Sequence, residues 1–195
     1  RTSTIEFMAS PNEIKKGTII NRNGTLWMVV DFQRVSPGKG SSFVRTKMKN
    51  LKTGKVNEEN IKSSESIVFE DVAYKKMQYL YTDSRLYTFM DMVTYEQVAI
   101  SAEEISDIIP YLKEGLETTV AMHNGAPITA SLPQKIQYTV SYTESVVKGD
   151  TASGNVLKDA EMENGLSVRV PSFINQGDAI MVNTQTGDYS ERVSK

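Results

Sequence analysis

Two runs that read as strands, Leu26–Val35 and Phe43–Asn50, flank Ser36-Pro37-Gly38-Lys39-Gly40-Ser41, a segment with the composition of a tight turn. Proline presets φ at the second turn position, and Gly38 at the third is expected to supply the positive φ of a type II turn. Lys39 then falls at the fourth position, and Gly40 removes side-chain bulk beside it. The outcome is a hairpin whose thin tip projects one amine. An amine so placed suits reaching into a narrow space or being modified by an enzyme, although a solvated turn lysine has the same local sequence.

A chain of 195 residues holds one to three small domains. It has no cysteine, so disulfides and thiolate metal sites are excluded. No apolar run approaches the roughly 18 residues of a membrane span, and the start does not resemble a signal peptide. A soluble, cytosolic protein fits. Met8-Ala9 reads as a natural start, with residues 1–7 an appended remnant outside the fold.

Charge is unevenly distributed. Residues 8–71 carry a balance of +4, whereas 72–136 and 137–195 carry −3 each. In the first segment Arg34, Lys39, Arg45, Lys47, Lys49, Lys52, Lys55 and Lys62 meet only Glu58 and Glu59. A basic face on a near-neutral chain points to a polyanion held at one end, with nucleic acid the obvious candidate.

The pattern is all-β, in three small barrels. In the first, residues 8–71, alternation sets Phe43, Arg45, Lys47 and Lys49 on one face and Val44, Thr46 and Met48 on the other. Residues 72–136 open with a hairpin, Met77–Tyr81 and Leu86–Met90, turning at Thr82-Asp83-Ser84. Ser101-Ala102-Glu103-Glu104 reads as a capping box that starts a short helix, interrupted at Pro110. Asn124-Gly125 is a two-residue hairpin turn, and strands around one short helix suit a five-stranded OB barrel. Residues 137–195 form a second such barrel: Ile136, Tyr138, Val140 and Tyr142 share a face, and Val168, Val170, Phe173, Ile174, Ile180 and Val182 supply its core.

From Met8 to Lys195 the sequence resembles the bacterial elongation factor P family. The residues that carry this are Pro37-Gly38-Lys39-Gly40, Asn50-Leu51-Lys52-Thr53-Gly54-Lys55-Val56, Tyr79-Leu80-Tyr81 and Asn124-Gly125-x-Pro127-Ile128. Lys148-Gly149-Asp150-Thr151-Ala152, Val170-Pro171-Ser172-Phe173-Ile174 and Gly187-Asp188-Tyr189-x-x-Arg192-Val193 complete the series. The resemblance implies an N-terminal KOW/SH3-like barrel followed by two OB barrels in a tRNA-like arrangement. It implies a monomer that binds the stalled 70S ribosome between the peptidyl-tRNA and exit sites, away from any membrane, and promotes peptide bonds at consecutive prolines.

On that resemblance Lys39 reaches the CCA end of the P-site peptidyl-tRNA, with Pro37, Gly38 and Gly40 shaping its turn. Arg34, Arg45, Lys47 and Lys49 contact tRNA or rRNA phosphates, and Tyr189 and Arg192 match a functional C-terminal pair. Gly149, Asp150, Thr151 and Ser153 match a loop near exit-site mRNA. No dissociable cofactor or metal is implied. Many members lengthen the tip lysine covalently, for example by β-lysylation through a modifying enzyme, while others carry another modification or none. Lysine rather than arginine argues against the rhamnosylated branch. Where many members have an acidic residue before Tyr-Leu-Tyr, this chain has Tyr74 followed by Lys75 and Lys76, which weakens the transfer of a D-arm contact.

An enzyme is the first rival. Lysine nucleophiles are normally desolvated, unlike a turn tip, and His123, beside a turn, reads as a surface residue. A generic OB-fold single-stranded RNA binder, or a paralogue of the family, is the second, given nine tyrosines for base stacking. Against it, both later segments are acidic and many of their tyrosines alternate into expected cores.

Overall fold

A computed structural model describes residues 7–146 and 156–194. Its architecture is all-β, in three antiparallel sheets. The first holds β1 (Phe7–Ala9), β2 (Ile19–Arg22), β3 (Thr25–Val35), β4 (Phe43–Asn50), β5 (Val56–Lys62) and β6 (Ile67–Glu70), in the order β1-β6-β2-β3-β4-β5. Period-two alternation explains β4: Val44, Thr46 and Met48 turn inward, while Arg45, Lys47 and Lys49 stay exposed. Val44 and Met48 join Ile14, Ile20, Val29, Ile61 and Ile67 in one core, lined by Trp27, Phe32 and Phe69. Phe7, read from sequence as outside the fold, is already in β1 opposite Phe69.

β7 (Ala73–Asp83), β8 (Leu86–Asp91), β9 (Gln97–Ser101), β10 (Glu117–His123) and β11 (Ala126–Ser131) make the second sheet, ordered β11-β10-β7-β8-β9. The β10–β11 turn has φ of 50° at Asn124 and 76° at Gly125, the left-handed pair that Asn-Gly adopts readily. The helix expected after Ser101 is absent. Ser101 ends β9, and the chain beyond it closes mainly in tight i→i−3 turns, from Glu104 N to Ser101 O (3.1 Å) and from Ile108 N to Ile105 O (3.0 Å). Ile105, Ile108 and Ile109 are β-branched, and Pro110 has no N–H to offer an α-helix. Pro110 instead lies within a 3-10 turn, Ile109–Tyr111, as Ile105, Ile108 and Leu112 are buried.

β12 (Lys135–Thr143), β13 (Leu157–Met162), β14 (Ser167–Pro171), β15 (Ala179–Asn183) and β16 (Tyr189–Arg192) form the third sheet, ordered β14-β13-β12-β15-β16. Its outer strands β14 and β16 come within 8 Å of each other, so the sheet curls back on itself. Two core assignments need correcting. A bulge between Val140 and Tyr142 shifts the phase of β12, leaving Tyr142 59% exposed and putting Thr143 inside. Phe173 lies beyond β14 and is 56% exposed, while the neighbouring Ile174 is fully buried. The tyrosines were also placed too deep: only Tyr79 and Tyr138 are buried, and Tyr74, Tyr81, Tyr95 and Tyr142 face solvent.

The described residues fall into two compact units. One runs up to Tyr74 and includes Ala121–Thr129; the other comprises Lys75–Val120 and the chain from Ala130 onward.

Candidate functional site

The β3–β4 ladder shifts register between Val29 and Asp31 and then runs unbroken to Val35 opposite Phe43. Beyond that pair, every residue from Ser36 to Ser42 is exposed, and no backbone hydrogen bond spans the excursion among the described residues. Two contacts close its neck: Ser42 Oγ lies 3.3 Å from Ser36 Oγ, and Ser42 O accepts from Ser63 N at 2.9 Å. The turn differs in detail from a type II turn. Gly38 does not take positive φ; Gly40 does, at 107°. The left-handed residue therefore follows the lysine, which explains why a glycine is needed there. A Cβ on Gly40 would sit 3.8 Å from Pro37 Cγ, whereas Gly38 has open space around it. Lys39 has no hydrogen-bond or ion-pair partner among the described residues.

Behind the tip, Arg45, Lys47 and Lys49 point outward from β4 at alternate positions, about 7 Å apart along the strand. Their neighbours moderate the charge. Lys47 lies between Asp31 on β3 and Glu58 on β5, and Arg45 Nε is 3.8 Å from Glu58. Asp31 is also bound by Lys16 at 3.5 Å. Glu59 leaves this face altogether: it pairs with Thr46 in register and bonds to Arg22, which also holds Glu65 at 3.5 Å. The stripe is thus opposed by Asp31 and Glu58, rather than by Glu58 and Glu59.

Arg34 lies on the opposite face. It is registered with buried Val44, and its guanidinium donates to Asn12 O at 2.7 Å and Ile14 O at 3.3 Å, over the Phe32 ring at 4.9 Å. Counting basic residues along the sequence cannot separate it from the β4 cations. In the third sheet, Arg192 is 3.6 Å from Asp178 and Tyr189 is half-buried opposite Val182. Gly149, Asp150, Thr151 and Ser153 lie outside the described residues. Near the start of β7, Lys75 is 3.8 Å from Asp91 and Lys76 is 3.0 Å from Glu117, beside exposed Tyr74.

His123 is not the free surface residue its turn suggests. Its Nε2 lies 3.0 Å from Glu70 Oε2, and its side chain is only 21% exposed. Glu70 also accepts from Asn21 Nδ2 at 3.0 Å. The Asn21 bond and then the His123 bond hold the Glu70 carboxyl below the usual carboxylate range, against the opposing effect of burial. Lys113 is another residue that sequence reading missed. It donates to Gln137 O and to Glu163 at 2.9 Å, and sits 5.1 Å above the Tyr138 ring. No group of three metal-ligating side chains occurs among the described residues, and no helix among them is long and apolar enough to cross a membrane.

The chain matches three family models in succession: the elongation factor P KOW-like domain over residues 10–67, its OB domain over 72–130 and its C-terminal domain over 136–192. The chain belongs to the elongation factor P family. Elongation factor P of Alkaliphilus oremlandii (strain OhILAs) is 44% identical over 186 residues, covering 95% of this chain and all of the relative. Elongation factor P of Clostridioides difficile (strain 630) gives the same identity and coverage. A translation initiation factor eIF-5A family protein of Naegleria fowleri shares the fold, with a TM-score of 0.50 at 13% identity over 65% of this chain and 99% of that one. As a family member the chain is a translation elongation factor and not an enzyme. The all-β reading holds, and each family model falls on one of the three sheets.

Proposed function

We propose that the chain binds, in the cytoplasm and as a monomer, a 70S ribosome stalled at consecutive prolines, between the peptidyl-tRNA and exit sites. Lys39 reaches toward the CCA end of the P-site tRNA and holds it in a reacting geometry. Proline is a constrained and poor nucleophile, so the gain is positional: aligning the two ends lowers the barrier without the factor making any bond. Arg45, Lys47 and Lys49 neutralise tRNA or rRNA phosphates, which gives affinity and register rather than base specificity. Tyr189 and Arg192 add contacts from the third sheet, and Gly149, Asp150, Thr151 and Ser153 approach exit-site mRNA. A modifying enzyme that lengthens Lys39, for example by β-lysylation, would extend a reach of about 6 Å set by bond geometry.

One observation carries this reading. The Ser36–Ser42 excursion is exposed throughout and presents a lysine without a partner among the described residues, ahead of three cations on the same hairpin. The test is reconstituted translation of a reporter with three consecutive prolines. Addition of the chain should restore full-length product and leave a proline-free control unchanged. Failure by folded protein purified from its own host would overturn the reading.

The exposed Tyr74, Tyr81, Tyr95 and Tyr142 favour a second reading, a single-stranded RNA binder that stacks bases on its surface. On that reading Lys39→Ala lowers RNA affinity only modestly and has no special effect at prolines.

A further inference from the structure

We infer that Arg34 is a positioning residue that aims Lys39, and not one of the phosphate-binding cations. This rests on Lys39 being the working end of the hairpin. The argument begins with an imbalance in the first sheet. β2 pairs with β3 only as far as Met28, so Asp31–Val35 has a strand neighbour, β4, on one side alone. There the sheet narrows to three strands, β3, β4 and β5, with β3 at an open edge, and angular error at that edge grows toward the tip.

The segment Pro11–Thr18 braces that open side. Thr18 O accepts from Val29 N at 2.9 Å, Gly17 N donates to Val29 O at 2.8 Å, and Lys16 lies 3.5 Å from Asp31. Arg34 makes the outermost tie, five residues before Lys39. Its two acceptors belong to a fixed block. Pro11–Glu13 is a single 3-10 turn capped at Ser10, whose Oγ accepts from Asn12 N at 3.3 Å while Glu13 accepts from Ser10 N at 2.8 Å. Pro11 is buried and Ile14 is fully enclosed in the core. The guanidinium thus joins the root of the tip to a block anchored in the core.

The chemistry suits arginine. Nη2 donates to both carbonyls while the guanidinium carbon sits 4.9 Å over the Phe32 ring, and the compact, strongly hydrated ammonium of lysine is a poorer match for the ring. A phosphate that drew the guanidinium outward would have to break both Nη2 bonds and lift the group off the ring. Among the described residues, Arg45, Lys47 and Lys49, on the other face, have no such commitment to backbone.

Arg34→Ala and Arg34→Lys separate the two roles, and the absence of native cysteine supplies a direct readout. Spin labels at Ser41→Cys and Lys55→Cys report the direction of the tip relative to the body of the same sheet. The distance distribution should broaden in both Arg34 variants, with the melting temperature nearly unchanged. An unaltered distribution overturns the inference, whatever happens on the ribosome. In triple-proline translation, both variants should lower the rate at saturating factor, by up to about a hundredfold, the scale of a misplacement of about 1 Å. Their half-saturating concentration and its salt dependence should stay at the native values. A raised half-saturating concentration, a salt slope smaller by about 1 and recovery in Arg34→Lys would instead make Arg34 a phosphate contact. If the native chain itself fails to rescue the reporter, the reading of Lys39 falls, and the label distances still decide the brace.

Discussion

Lys39 and Lys113 are the same residue put to opposite uses. Lys113 has its donors on Gln137 O and Glu163 and its charge over Tyr138. Around it, Tyr138 Oη donates to Tyr111 O, and Asn164 Nδ2 donates to Pro110 O at 3.1 Å and Leu112 O at 3.0 Å. Lys39 has none of this. An ammonium whose hydrogen bonds are satisfied contributes to stability and is unavailable to a partner; one left unsatisfied contributes nothing to the fold and keeps its full capacity for binding. Position in the chain, not residue type, decides which.

The sharpest attempt to break this contrast is Lys39→Ala. Rescue of the triple-proline reporter should fall by about tenfold or more, a loss on the order of 1.4 kcal/mol of alignment, while the thermal midpoint holds. A midpoint lower by several degrees would show the tip to be structural. Lys113→Ala should do the reverse, lowering unfolding free energy by about 1–2 kcal/mol through lost charge-assisted bonds in a half-exposed setting. Urea unfolding measures this, and protein that stays folded should still rescue.

Smaller effects refine the picture. Gly40→Ala forces an L-residue toward φ 107° and should cost about 1 kcal/mol locally, seen as weaker rescue. Gly38→Ala should be close to neutral in the same assay, because its φ is ordinary and its surroundings are open. Equal losses from both would contradict the turn described above.

The smallest effect is in acid. Burial raises the Glu163 pKa, but the bonds from Lys113 and Thr139 N and the Lys113 charge outweigh it, so the carboxyl titrates below its ordinary 4.5. A depressed carboxylate stabilises above its unfolded pKa, and that contribution disappears as pH falls through the folded value. Thermal midpoints should therefore drop below about pH 4.5 by an amount worth under about 1 kcal/mol, given the exposure of the pair. Lys113→Ala should flatten that part of the curve; an unchanged slope would remove Lys113 as the cause.

What could be read from sequence was local. Alternation in Phe43–Asn50 set both the limits and the facing of β4, and Asn124-Gly125 named its own turn. What was missed depends on distant partners or on one-residue shifts of phase. Arg34 is directed by carbonyls 20 and 22 positions away, and His123 by Glu70 at 53. Tyr142 was misplaced because the β12 bulge reverses inside and outside. The capping box shows the limit most clearly. Ser101 and Glu104 carry the motif without a helix, whereas Ser10 and Glu13 carry it and form both cap bonds. Pro11 at the first position presets the turn in one, and β-branched isoleucines oppose a helix in the other.

The lack of ladder bonds between Ser36 and Ser42 also sets the terms on which another enzyme can handle this chain. A catalyst that acts on a lysine must draw several residues of backbone into its cleft, and within a sheet that means melting paired strand first. Here the seven-residue segment can be lifted out while β3 and β4 stay zipped. On the proposed modification of Lys39, the finished, folded molecule can serve as the substrate without unfolding. By the same token, limited trypsin digestion should nick the chain there before any other bond in the sheet gives way.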